Sequence, residues 1–188
     1  MLDWCGKGPI ACAQGSGHQS AHKPDAGPAP ACRLALLDDA ARDDTLPLMA
    51  AQSHEFEINT RGNNEVLNIT EQVASCVSGG DIACGVATVF VIGSTAGITT
   101  TEFEPGLVNR DLKVALEGIA PEDGQYLHEQ TWNDDNGHSH VRASLIGPSL
   151  TVPVVDRAIQ LGTWQQIILL DFDTRGRTRR LLVQVVGE

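Results

Sequence analysis

The residues with the clearest chemical potential are three histidines in the second half of the chain. His138 and His140 are separated by a single serine, and His128 lies ten residues before His138. On an extended strand, residues two apart point to the same face at a separation of about 7 Å, so His138 and His140 can reach one ion. Three imidazoles with an open position are typical of catalytic zinc, and neutral imidazole also suits other transition metals. We therefore predict His128, His138 and His140 as metal ligands; the alternative is that some are surface or hydrogen-bonding residues beside the polar turn at 133–137.

A pair of carboxylates lies at the predicted end of a strand. Glu102 and Glu104 come just before Pro105, a residue that suits the first turn of a helix. Glu102 in this position can act as a general base, as a further ligand or as the partner of an imidazole. The alternative is an ordinary acidic helix start that interacts favourably with the helix dipole. We therefore predict Glu102, His128 and His140 as the catalytic residues.

Arginines cluster near the C-terminus of a chain that is otherwise poor in positive charge. Four of them fall between positions 175 and 180. Arg177 and Arg179 would share one face of a strand and form a fork-shaped site for a phosphate or carboxylate. The alternative is that these arginines protect a sheet edge or pair with Asp171 and Asp173.

A tryptophan and a glutamine follow a glycine-containing turn before a predicted strand. Trp164 and Gln165 are placed directly after Gly162 and Thr163. We include Trp164 and Gln165 with Arg177 and Arg179 as candidate substrate-binding residues. The alternative is a tight strand start with a packed indole.

Composition excludes several classes of partner. With 13 basic and 24 acidic residues the formal net charge is −11, which repels phosphate backbones, so we expect no nucleic-acid partner. No apolar run approaches the ~18 residues of a membrane helix, and we expect no membrane partner. The first residues lack a basic start and a continuous apolar stretch, which predicts a cytoplasmic protein without a secretory signal. Neither G-x-x-x-x-G-K-S/T nor G-x-G-x-x-G occurs, so nucleotide binding by those loops is not expected.

The elements that must position these residues lie between positions 51 and 188. Residues 1–50 are rich in Gly and Pro and lack hydrophobic periodicity, which predicts a disordered or loosely attached N-terminal extension. Residues 53–121 have the periods of strands and helices, and the last third has the pattern of strands at 139–146, 150–155, 162–172 and 179–186. Strands interrupted by two or three helices, without regular βαβ alternation, predict one α+β domain built as a mixed or antiparallel β-sandwich.

Several separated motifs resemble those of the YjbQ-type family of uncharacterised proteins and secondary thiamine-phosphate synthases. They are Ser94-Thr95-Ala96, Thr101-Glu102, Tyr126-Leu127-His128, the run from Gly137 to Ser149, Leu161 to Gln165, and Arg177 with Arg179. Their order and spacing are similar to those of the family, over about residues 53–188. Two positions depart from its usual pattern, because Gly93 stands where relatives often have a histidine and Thr101 where they have an asparagine.

The resemblance implies a compact α+β fold assembled as a homotrimer, with a histidine-rich, metal-binding pocket near the subunit interfaces. It also implies weak thiamine-phosphate synthase activity, in which a pyrimidine diphosphate joins a thiazole phosphate and pyrophosphate is released. We therefore expect a metal-dependent transferase for a small phosphorylated substrate, with zinc, magnesium or manganese as the divalent ion. Two alternatives are a non-catalytic metal- or anion-binding trimer with a regulatory role, and a metal-dependent hydrolase that uses bound water as the nucleophile.

Overall fold

The computed structural model describes residues 49–188, so nearly all of the predicted N-terminal extension at 1–50 lies outside the described residues. Within that range the chain forms eight β-strands and four α-helices. In chain order they are β1 (Ala50–Asn59), β2 (Glu65–Asn68), α1 (Thr70–Ser78), β3 (Gly85–Ile92), β4 (Ala96–Thr101), a π-helical segment (Leu107–Asp111), α2 (Leu112–Ile119), α3 (Glu129–Trp132), α4 (Gly137–Ile146), β5 (Ser149–Val155), β6 (Ala158–Ile159), β7 (Gln166–Asp171) and β8 (Thr178–Gly187). None of the helices in residues 49–188 is both long and apolar enough to span a membrane.

The strands form two antiparallel sheets. Five strands pair in the order β1-β8-β3-β5-β6, and three pair in the order β2-β7-β4. On β3 the buried residues Val89 and Val91 alternate with the more exposed Phe90 and Ile92. Because successive side chains of a strand point to opposite faces, the larger sheet has one face in the core and one face outside it.

Two hydrophobic cores give the domain three layers. The main core lies between the inner face of the larger sheet, the smaller sheet and α1, where Val73 packs with Leu169 and Val183. The second core lies between the smaller sheet and α2 and α4, and contains Ile168 and Leu170 of β7. Strand β7 is therefore buried on both faces, which explains its uninterrupted apolar sequence. The prediction of an α+β fold with antiparallel sheets is confirmed.

The predicted strand at 139–146 is wrong, because this segment belongs to helix α4. Its apolar residues recur at every second position, as in a half-buried strand. The residues buried in the structure instead have helical spacing, and most of them are polar: Gly137, His138, Ser139, Arg142 and Ala143. Hydrophobic periodicity could not indicate this face, since its burial depends on hydrogen bonds to distant parts of the chain.

Candidate functional site

A buried ion pair connects the end of β7 to the start of β8. The Arg179 side chain donates from Nε to Asp171 Oδ2 at 2.7 Å and from Nη2 to Asp171 Oδ1 at 2.6 Å. Thr60, at the end of β1, donates its hydroxyl to Asp171 Oδ2 at 2.5 Å. Asp171 is fully buried, and a two-pronged arginine–carboxylate contact of this kind fixes the plane of the guanidinium.

A second carboxylate extends this network toward the turn between β3 and β4. Asp173 Oδ2 accepts hydrogen bonds from Arg177 Nε and Thr95 Oγ1, each at 2.9 Å. Thr95 Oγ1 in turn accepts from Arg179 Nη2 at 2.8 Å. Burial raises the pKa of Asp173, but the hydrogen bonds from Arg177 and Thr95 and the charges of both arginines lower it further, to below its ordinary value. The pairing of Arg177 and Arg179 with the two aspartates, stated above as an alternative, is therefore present in the structure.

One nitrogen of Arg179 has no hydrogen-bond partner among the described residues. It is Nη1, and the Arg179 side chain as a whole is 7% exposed. Gly93 lies next to it, and a Cβ atom built on Gly93 would stand 3.1 Å from Nη1. Gly93 also has φ of +149°, a conformation that side-chain-bearing residues rarely adopt. Because Gly93 has no side chain, a small gap remains beside Nη1; we call it the Arg179 notch.

Two histidines meet beside the same turn. The rings of His128 and His140 have centroids 4.6 Å apart and planes inclined by 58°. His140 Nδ1 lies 3.1 Å from the carbonyl oxygen of Ser94, and because a carbonyl only accepts, Nδ1 carries the proton. In the neutral ring Nε2 then carries the lone pair. His128 Nε2 is buried without a hydrogen-bond partner among the described residues and lies 3.5 Å from Asp134 Oδ1.

His138 does not join this pair. At 3.6 residues per turn, residues two apart in a helix point in nearly opposite directions, so the shared strand face predicted for His138 and His140 is wrong. The His138 ring packs against Tyr126, with centroids 6.3 Å apart. Burial, followed by the charge of Arg142, lowers the pKa of His138 below its ordinary value. Its Nε2 lies 3.3 Å from the hydroxyl of Ser139, which fits a buried, neutral, structural histidine.

The predicted three-histidine metal centre does not fit a single chain of this structure. Among residues 49–188 no group of three or more His, Cys, Asp or Glu side chains is arranged to hold a metal ion. Catalytic zinc normally has three protein ligands, whereas His128 and His140 supply two imidazoles. One observation still suits a ligand role, namely that His128 Nε2 is buried and makes no hydrogen bond with a described residue.

The remaining predicted residues lie at the opposite end of the smaller sheet. Strands β4 and β7 are antiparallel, with Thr101 opposite Gln166 and Ala96 opposite Asp171. Glu102 and Gln165 are each six positions from the level of Asp171, about 20 Å along the strand direction, and one chain does not bring them to the histidine pair. Gln165 Nε2 donates to Thr100 Oγ1 at 3.1 Å.

Trp164 lies in the same turn as Gln165, and its side chain is 71% exposed. The alternative of a packed indole is therefore wrong for this chain. A large exposed aromatic surface is more typical of a residue that contacts a partner or ligand.

Several residues of the site were missed by sequence reasoning. Thr60 and Thr95 bind the aspartates through their hydroxyls, and Ser94 contributes only its backbone carbonyl. A carbonyl has no signature in a sequence. The buried Thr95 could have been suspected from the small polar run Ser94-Thr95 between two strands, but its partners lie more than seventy residues away.

Comparison with known proteins gives a consistent result. A profile of the family described as "UPF0047 protein YjbQ-like" matches residues 54–188. A UPF0047 protein of Methanothermobacter thermautotrophicus is 36% identical over 140 residues, which cover 74% of this chain and 95% of that protein. The UPF0047 protein YjbQ of Escherichia coli O157:H7 is 30% identical over 140 residues, covering 74% of this chain and 94% of that protein.

Solved structures have the same fold. A YbjQ-like protein of unknown function from Sulfolobus solfataricus superposes with a TM-score of 0.70 at 29% identity, covering 75% of this chain and 100% of that chain. An uncharacterised conserved protein of the yjbq/upf0047 family from Clostridium acetobutylicum superposes with a TM-score of 0.64 at 34% identity, covering 70% of this chain and 98% of that chain.

Proposed function

The chain belongs to the YjbQ/UPF0047 family, and from that premise we propose that it is a cytoplasmic enzyme that acts on a small phosphorylated substrate. The observation that carries the proposal is the role of three consecutive residues. Gly93 borders the free Nη1 of Arg179, Ser94 holds His140 through its carbonyl, and Thr95 holds Arg179 through its hydroxyl. An anion contact and a proton-transfer group are thereby attached to one short turn.

The anion contact comes from Arg179. A phosphate oxygen in the Arg179 notch would accept a hydrogen bond from Nη1, while Asp171 keeps the guanidinium plane fixed through the other two nitrogens. Because this donor is already oriented before the ligand arrives, it can stabilise negative charge that develops on a departing phosphate without reorganisation. Arg177 is bound to Asp173 and has a smaller part in this proposal than the sequence suggested.

The proton-transfer group is the histidine pair. His140 Nδ1 donates its proton in a hydrogen bond to the Ser94 carbonyl. Nε2 is therefore the atom that takes up or gives back a proton. A transfer reaction that releases pyrophosphate, as in thiamine-phosphate synthesis, needs charge stabilisation on the leaving group. A hydrolytic reaction needs a base to activate water. Either reaction can use the same pair, and we propose the transferase reaction first because of the family resemblance.

A divalent ion held by His128 and His140 is a second candidate. His128 Nε2 favours it, since this atom is buried beside the His140 ring and makes no hydrogen bond with a described residue, although it lies 3.5 Å from Asp134 Oδ1. Imidazole ligands suit zinc better than magnesium or manganese. A bound ion would supply Lewis-acid chemistry at this turn. His138 is not included as a ligand, because it packs against Tyr126.

We also propose that copies of the chain associate as a homotrimer through the outer face of the larger sheet. Val86, Phe90 and Ile92 are each about two-fifths exposed on its central strand β3. Ile92 directly precedes Gly93, so a second copy on this face would lie against the site. Such a neighbour could bring the end of the smaller sheet that carries Glu102 and Trp164 to the histidine pair.

The proposed activity is tested by incubating the full chain with a pyrimidine diphosphate and a thiazole phosphate, and with a panel of phosphate esters, while released pyrophosphate and phosphate are measured. Turnover that falls at least a hundredfold in His140→Gln, but not in His138→Phe, would support the assignment. Binding of inorganic phosphate without turnover of any of these substrates would instead support a non-catalytic anion-binding protein. If the chain neither binds phosphate nor turns over any of these substrates, the enzyme proposal and the anion-binding alternative are both refuted.

A further inference from the structure

A polar cavity lies beside the segment that joins β1 to β2, which packs against the loop between β7 and β8. Its volume is about 390 Å³. It is bounded by the connection between β1 and β2 on one side and by the π-helical segment and the start of α2 on the other. The residues that line it are Arg61, Gly62, Asn63, Asn64, Glu65, Val66, Val108, Asn109 and Lys113.

Two rare backbone geometries face each other across this cavity. Gly62, Asn63 and Asn64 have φ of +73°, +52° and +65°, so three consecutive residues are left-handed. The opposite wall contains Asn109 within the π-helical segment. Left-handed residues and π-helical turns are unfavourable on their own and are concentrated at functional sites. A Cβ on Gly62 would stand 2.5 Å from the carbonyl oxygen of Asp173, so close packing requires glycine here.

Two cationic side chains line the cavity: Arg61, whose side chain is 87% exposed, and Lys113, whose side chain is 48% exposed. Glu65, whose side chain is only 10% exposed, accepts from Arg61 Nε at 2.6 Å and from the Arg61 backbone nitrogen at 2.5 Å. Neither Nη nitrogen of Arg61 makes a hydrogen bond with a described residue, whereas Nε is bonded to Glu65. Lys113 Nζ lies 3.6 Å from Glu122 and adds a second cation.

We propose that this cavity binds a small organic anion, with its phosphate or carboxylate group between Arg61 and Lys113 and its polar body on the side-chain amides of Asn63 and Asn109. When Glu122, which contacts Lys113 and Asn64, is counted with Glu65, the two cations and the two carboxylates at the cavity balance, in a chain whose net charge is −11. Val66 and Val108 are the only large apolar residues in the lining, which disfavours an apolar ligand. The volume is at the lower end of the range of about 300–1,000 Å³ for small-molecule sites. The site is separate from the Arg179 notch and does not depend on the proposed function.

The test is a titration of the ¹⁵N-labelled full chain with inorganic phosphate, and separately with acetate, followed by NMR. Amides of residues 61–65 and 109–113 report on the cavity, and amides of 93–95 report on the Arg179 notch, so the two sites are distinguished. We expect saturable shifts in the first group that weaken at least tenfold in Arg61→Gln and in Lys113→Gln. Arg110→Gln is the matched control, because it removes a charge from the same π-helical segment without lining the cavity.

A second variant tests the cavity without changing its charge. Asn109→Phe should fill the space with a ring and abolish the shifts at 61–65, while leaving those at 93–95 intact. Unchanged affinity in the two charge variants, an equal loss in Arg110→Gln, or no saturable shift with either anion would overturn the proposal. A response to phosphate alone would identify a phosphate ester as the ligand class, whereas a response to both would include carboxylic acids.

Discussion

Gly93 lies directly against Arg179, since a Cβ atom built on Gly93 would stand 3.1 Å from Arg179 Nη1. The other two guanidinium nitrogens are bound to Asp171, so Nη1 is the one nitrogen of Arg179 without a hydrogen bond to residues 49–188. In the proposed function, the absence of a side chain at Gly93 is therefore what leaves room for a phosphate oxygen beside this buried arginine.

Gly93→Ala should weaken the binding of inorganic phosphate about tenfold. The added methyl group would crowd Nη1, and the φ of +149° is unfavourable for alanine. NMR shifts of the amides of residues 93–95 during a phosphate titration measure the effect at the notch separately from the cavity beside Arg61. Gly118→Ala is the matched control, because a Cβ there meets no atom within 4 Å, and it should bind phosphate as the parent does. Equal affinity in all three proteins would mean that the notch does not bind phosphate.

Asp171→Asn should lower the free energy of unfolding by about 3–5 kcal/mol, because it leaves the buried Arg179 without its carboxylate. Urea denaturation followed by circular dichroism measures the change. Glu55→Gln removes the partner of Arg180 in an exposed pair 3.9 Å apart, and should change stability by no more than about 1 kcal/mol. Similar losses in both variants would show that the buried network has no special role in stability.

His138 should make the protein less stable in mild acid. Its pKa is lowered in the folded state, so between the unfolded value of 6.5 and the lower folded value the unfolded chain binds more protons. The free energy of unfolding should therefore decrease as pH falls from about 7 through 6.5, by at most about 1.4 kcal/mol per pH unit for this one group. His138→Phe should have a shallower slope in denaturation curves recorded between pH 7.5 and 5. An unchanged slope would argue that His138 is not buried as a neutral ring.

Metal content separates the two roles proposed for the histidine pair. If an ion is held there, inductively coupled plasma mass spectrometry of zinc-supplied protein should find near-stoichiometric zinc that is lost in His128→Ala and His140→Ala. His138→Phe should keep its zinc, since this ring packs against Tyr126. Zinc retained in His140→Ala would contradict the ligand assignment. Parent protein without zinc would leave acid–base chemistry as the role of the pair.

Phe90→Glu should dissociate the proposed homotrimer, because it places a charge within the row of exposed apolar residues Val86, Phe90 and Ile92 on β3. Multi-angle light scattering of the full chain measures the mass in solution. Val114→Glu is the matched control, as it adds the same charge to an exposed apolar position on α2. If the parent is monomeric, or if Phe90→Glu keeps the parent mass, this face is not the interface.

Local information in the sequence determined the fold class and the family. The two-residue period of β1, the uninterrupted apolar run of β7 and the helical spacing around Val108 and Leu116 are short-range patterns, and each corresponds to an element or core residue of the structure. The family resemblance rests on motifs whose residues are close in sequence, so it too could be read before the fold was known.

Only the tertiary structure decided which of the candidate residues meet. Thr60 and Asp171 are bonded across 111 residues, and Arg179 and Thr95 across 84, a kind of relationship that no local pattern contains. His138 and His140 point in nearly opposite directions because α4 is a helix. Its buried face makes polar contacts, such as the hydrogen bond from the Ser139 hydroxyl to the Phe172 carbonyl, which hydrophobic periodicity does not reveal. Glu102 lies a strand length from the histidine pair because antiparallel pairing puts the end of β4 beside the start of β7. Residue types could therefore be listed from the sequence, but their partners were set by packing and hydrogen bonds between distant segments.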